Sequence, residues 1–181
     1  MVTEETDSLN EKIKEANISL IINNYNDIFS SFDARTFTEK ALSVDFLDEC
    51  KRAAREKGDS VELRILVPKG IRNQREEWKI KKRLHDHFEH HSKLQEKEIS
   101  SIKKEGFLWT LLGLLVLGGV IFGSLKFENA TWESLLTILE IPGWFLIWEG
   151  MDKILITARE KTPEYEFYKK MSQSEINFAD Y

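Results

Sequence analysis

Apolar positions change their period several times along the chain, and each change predicts an element. Ile18, Leu20 and Ile22 alternate with other positions, which predicts a strand at about 17–23. Turn formers follow in Asn23-Asn24-Tyr25-Asn26-Asp27, and residues 28–37 have no clean period and read as a structured loop. Ser43 is an N-cap with Asp45 in the first turn; Phe46, Leu47, Cys50, Ala53 and Ala54 then share one helical face, and Gly58 stops the helix. Val61, Leu63, Ile65 and Val67 alternate with Glu62, Arg64 and Leu66, a strand that Pro68-Lys69-Gly70 ends. After a polar leader, residues 1–15, this predicts a β-α-β unit over residues 16–72.

The pattern then becomes helical and stays so. Trp78, Ile80, Leu84, Phe88, His91, Leu94, Ile99 and Ile102 recur at mostly helical spacing, with no Pro or Gly between Asn73 and Glu105. A long amphipathic stalk helix is expected over 73–106, its apolar stripe covered by the β-α-β unit or by the same helix of another copy. From Phe107 to Leu125 no residue is charged. At 1.5 Å per residue that run covers roughly 28 Å, close to the hydrocarbon thickness of a bilayer. The pattern predicts a first membrane helix at 107–125, a connector at 126–131 and a second membrane helix at 132–149. The second is interrupted by Glu140 and Pro142-Gly143 and flanked by Trp132 and Trp148. In the C-terminal segment, 150–181, Met151, Ile154, Leu155 and Ala158 form one apolar face of a helix at or leaving the membrane surface. Ile176 and Phe178 then alternate with Asn177 and Ala179, a strand able to return to the first sheet. The fold class expected is an α/β cytosolic domain, β-α-β plus a long helix and a C-terminal strand, fused to a transmembrane helical hairpin.

Composition narrows the class. Among 181 residues, 31 % are charged and the net charge is -5, which gives no general attraction to nucleic acid. A single cysteine excludes a disulfide scaffold and suits a reducing cytosol, with Cys50 read as a core residue. The acidic, polar start lacks the basic and apolar regions of a secretory signal. Lys93, Lys97, Lys103 and Lys104 precede the first span and Lys153, Arg159 and Lys161 follow the second, against Lys126 alone between them. A cell-membrane location with both termini cytosolic is expected.

Four groups of residues could carry function. All four histidines lie within His85–His91, and His87 and His91 stand one turn apart, the spacing of two-histidine metal sites. A solvated histidine-rich turn is the plainer reading, since a catalytic metal needs a third ligand. Gly119 and Gly123 form a Gly-x-x-x-Gly pair that marks a packing face, toward the second span or toward a second subunit. Glu140 lies about 12 Å along a helix from each of Trp132 and Trp148. A carboxylate at that depth is costly and faces protein or water, so it reads as an ion-handling group or a residue beside the Pro142 kink. The loop holding Asn24, Tyr25, Asp27, Phe32, Asp33 and Arg35 could form a binding lip, although anchoring of its rings to the domain is the favoured reading.

No phosphate-binding glycine loop, nucleophile elbow, cysteine pair or calcium loop is present. Neither a cofactor nor a catalytic residue is expected. The stretches Phe32–Ser43, Trp144–Asp152 and Glu166–Met171 resemble segments of a family of small prokaryotic two-span membrane proteins. That resemblance implies the topology and no activity or site residue. The sequence is therefore read as a non-catalytic oligomeric membrane scaffold, sensor or adaptor, in contact with lipid, with copies of itself and with a cytosolic protein partner. The alternatives are a small channel or ion-coupled element using Glu140 and a metal-binding protein at the histidines.

Overall fold

Parallel pairing joins strands that are far apart in sequence. The structure, a computed structural model, describes residues 18–55, 62–126 and 129–181. Strand β1, Ile18–Ile21, and strand β2, Glu62–Val67, flank helix α1, Val44–Arg55. Helix α2, Gln74–Lys126, helix α3, Ala130–Asp152, and helix α4, Ala158–Gln173, precede strand β3, Glu175–Asp180. The sheet order is β1-β2-β3, and both pairings are parallel. The protein is thus mostly helical with a small parallel sheet. The polar leader and the Gly58 helix stop expected from the sequence lie outside the described residues.

Two compact units divide the chain: Met1–Ser92 with Glu166–Tyr181, and Lys93–Tyr165. In the first unit the alternating residues form rungs across the sheet, Ile18–Leu63–Ile176 and Leu20–Ile65–Phe178. Three helices close this face, each through apolar residues spaced to share one side. Phe46, Cys50 and Ala54 come from α1; Ile80, Leu84 and Phe88 from α2; and Phe167, Tyr168 and Met171 from α4. The β-α-β unit therefore covers the stripe over this part of the long helix, as one of the two expected partners. Burial pushes the Cys50 thiol up to about 12, so it stays protonated inside the core. On the other face of β2, Arg64 pairs with Glu62, and Asn177 donates to the same carboxylate. Leu66 is nonetheless fully buried there.

In the second unit the continuation of α2 and the whole of α3 run antiparallel, with Gly106 against Gly150 and Gly113 against Gly143. A π-helical turn, Lys153–Thr157, connects α3 to α4. Its extra residue rotates the next turns of helix about their axis. The expected apolar face is therefore split: Ala158 is buried, whereas Met151 and Leu155 are exposed.

Candidate functional site

The loop after β1 is built on two anchors and one free ring. Asn24 caps a short 3-10 turn, Tyr25–Ile28, by accepting from the Asn26 amide, while the Asp27 carboxylate accepts the amides of Asn23 and Asn24. Tyr25 turns inward. Its hydroxyl donates to Glu77 Oε1 at 2.8 Å and accepts the Asn73 amide at 2.9 Å. Glu77 is 5 % exposed and is gripped by Arg72 through Nε and Nη2, both at 2.9 Å. The Arg72 guanidinium, followed by the Tyr25 hydroxyl, holds this carboxyl below its ordinary range against the opposing effect of burial. Phe29 is also buried, stacked on Phe37.

Asp33 orders the loop tip. Its carboxylate accepts from the Arg35 amide and guanidinium and from the Ala41 amide, and Arg35 foremost holds it well below the usual carboxylate range. Phe32, the residue before it, is 99 % exposed. Of the loop residues singled out from the sequence, Asn24, Asp27, Asp33 and Arg35 shape the loop, Tyr25 anchors it, and Phe32 is left for contact.

His87 and His91 do come together, with ring centroids 4.3 Å apart, and His91 stacks on Tyr168 at 5.0 Å. Lys51 Nζ sits 5.7 Å from the Tyr168 ring centroid. Burial, then the His91 charge, pushes His87 down to about 4, and its Nε2 is buried without a hydrogen-bond partner. Among the described residues no three His, Cys, Asp or Glu side chains converge into a group able to hold a metal. The histidine pair thus packs against an aromatic residue, and no third ligand joins it among the described residues.

Gly119 and Gly123 part company. A Cβ on Gly123 would lie 2.9 Å from Leu136 Cδ2, whereas one on Gly119 or Gly118 would meet nothing within 4 Å. Positions four apart differ by about 40° around a helix, enough for α3 to cover one and miss the other. The closest approach is made by other glycines, outside the Gly-x-x-x-Gly pair. A Cβ on Gly113 would lie 2.7 Å from the Gly143 carbonyl oxygen. Gly106 and Gly113 are two turns apart, as are Gly143 and Gly150, and that matched spacing was the available signal. Glu140 falls at the border of the same stripe, about 60° round from Gly143. It is exposed, and it has no hydrogen-bond or ion-pair partner among the described residues.

Where α2 enters its apolar run, an open cleft of about 640 Å³ lies between it and the first turns of α4. Lys103 and Lys104 line it with Ser100, Thr162 and Tyr165. Beside it, Lys153 pairs with Glu105 at 3.1 Å and Lys161 with Glu98 at 2.8 Å.

Comparison with protein families, with curated proteins and with solved structures returns no match.

Proposed function

We propose that this chain is an integral membrane protein that crosses the bilayer twice, as a helical hairpin of α2 and α3, and acts as a non-catalytic scaffold or adaptor. The observation that carries the reading is an exposed apolar surface. α2 holds a stretch long and apolar enough to cross a membrane, and only 11 % of it is buried. A core helix of a soluble protein would be mostly buried. On α3, Ile138, Ile141, Phe145 and Trp148 are likewise exposed. The hydroxyls of Thr110, Ser124 and Thr137 donate to carbonyls of their own helices, as a span in hydrocarbon requires. The lysine-rich flanks favour a cytosolic side for the α/β unit. There the fixed loop presents Phe32 to a protein partner, as aromatic anchors do at interfaces.

A cysteine placed at Asn129 labels from outside intact cells, and cysteines near either end of the chain label only after permeabilisation. External labelling of either end overturns the topology. A second reading, an ion-coupled assembly, is favoured by the unpartnered Glu140. Ion flux into liposomes containing the purified protein tests it.

A further inference from the structure

We infer that the cleft between α2 and the start of α4 is a binding site for the headgroup of an anionic glycerophospholipid. The inference rests on the membrane reading above and names a ligand for a place that reading leaves unused.

One face of α2 runs through the cleft with an ordered chemistry. Glu96 stands at one end, Ser100 comes next, then Lys103 and Lys104, and finally Phe107 and Leu108, where the apolar run begins. From Glu96 to Leu108 is about 18 Å along the helix. That sequence of acid, hydroxyl, base and hydrocarbon has the polarity of a phospholipid read from headgroup to acyl chain. The phosphodiester falls at the lysines. Both are exposed, and neither has an ion-pair partner among the described residues. Neighbouring cations differ in this respect, because Lys153 and Lys161 are already paired with carboxylates. The two charges are therefore open to an anion that the described residues do not supply.

The hydroxyl side comes from α4. Thr162 Oγ1 donates to the Ala158 carbonyl at 3.1 Å and keeps its lone pairs for a headgroup hydroxyl, and Tyr165 lines the same wall. Glu96, at the far end, accepts from the hydroxyls of a glycerol headgroup and opposes a second phosphate there. Phe107 and Leu108 are largely exposed, apolar, and continuous with the surface that faces the acyl chains. A volume of about 640 Å³ is ample for a glycerophosphoglycerol group. Basic pockets at the cytosolic ends of membrane helices hold lipid headgroups by this combination of charge and position.

The test uses the full chain in neutral detergent micelles, titrated with dioleoylphosphatidylglycerol or dioleoylphosphatidylcholine and read by native mass spectrometry and thermal melting. One phosphatidylglycerol is expected to stay bound per chain and to raise the melting temperature, with phosphatidylcholine much weaker. Lys103→Ala with Lys104→Ala should weaken the anionic lipid about thirtyfold, roughly fivefold for each lysine near an anionic surface. Thr162→Val should weaken it less. Lys97→Ala with Arg159→Ala removes the same charge outside the cleft and should leave binding within about twofold of wild type. Equal loss in that control would overturn the site in favour of diffuse attraction. Equal binding of soluble sn-glycerol 3-phosphate would overturn the lipid in favour of a free phosphate, and equal binding of phosphatidylcholine would overturn the role of charge. Extraction of the protein from membranes by alkaline carbonate would instead defeat the membrane reading, a result separate from all of these.

Discussion

Gly106 and Gly150 meet backbone to backbone. A Cβ on Gly106 would lie 2.7 Å from the Gly150 carbonyl oxygen, and one on Gly150 would lie 2.5 Å from that of Gly106. A carbonyl cannot swing aside as a side-chain tip can, so an added methyl forces the helices apart. Gly106→Ala and Gly150→Ala should each lower stability by about 1–3 kcal/mol, the usual cost of overpacking. Gly119→Ala, in open space, should leave thermal melting in detergent unchanged. If Gly119→Leu alone reduces the mass of the solubilised assembly, that glycine lies at a subunit contact.

The Tyr25–Glu77–Arg72 group should govern acid stability of the α/β unit. Glu77 has a folded pKa below its ordinary value of 4.5, so its contribution is present above that value and is lost as pH falls through the lower, folded one. Tyr25→Phe removes a bond to Glu77 and another to the Asn73 amide, and should cost about 1–2 kcal/mol. Chemical denaturation at pH 7 measures this loss. At a pH below the folded value, the difference from wild type should shrink.

His87 makes a second pH-dependent contribution, in a higher window. The unfolded histidine titrates near 6.5 and the folded one near 4. The fold therefore favours the neutral ring: the contribution is whole above about 6.5 and declines as pH falls toward 4. His87→Leu should flatten melting temperature against pH in that interval. Micromolar zinc should leave the wild-type melting temperature where it is, since no third ligand joins the pair among the described residues; a rise abolished by His91→Ala would support the metal reading.

Glu140 separates the two membrane readings. Its side chain is exposed and unpartnered among the described residues, so Glu140→Gln should insert and melt like wild type. If the protein handles ions, flux in liposomes should fall with Gln and survive in part with Asp. Absence of any wild-type flux leaves Glu140 as a structural residue of the helix that carries Pro142.

Phe32 should matter to binding and not to folding. Phe32→Ser is expected to change stability by less than about 0.5 kcal/mol, because the ring touches nothing it would leave behind. Asp33→Asn should instead speed amide hydrogen exchange at Ala41, whose N–H the carboxylate accepts. A crosslinker placed at Phe32 in cells should capture one defined partner, and loss of that product with Asp33→Asn would show that the loop must be ordered to bind.

Local pattern already places most of the elements. β1, α1, β2, the long α2 and β3 follow from apolar period, from Asn73 at the start of α2 and from Pro68-Lys69-Gly70, because each depends on neighbours within a few residues. The core faces are legible for the same reason: Phe46, Cys50 and Ala54, or Ile80, Leu84 and Phe88, show their common side in spacing alone. Candidate residues were less legible. Tyr25 and Phe32 are two aromatic rings in one polar loop, and nothing local says which is buried. Tyr25 is decided by Glu77, distant in sequence and carried on another element.

Long-range geometry decides the remainder. Which glycines touch depends on the register between α2 and α3, and the Gly119–Gly123 spacing does not contain it. The split of the apolar face after Met151 depends on a π-helical turn that adds a residue to the helix without interrupting its apolar pattern. The cleft exists because Thr162 and Tyr165, beyond that turn, come to stand beside Lys103 and Lys104. Period and composition are properties of neighbouring residues, so the chain alone specifies its elements, its core faces and its long uncharged segment. Register, helix rotation and the meeting of distant side chains come from packing whole elements together, where an offset of one residue turns every side chain by about 100°.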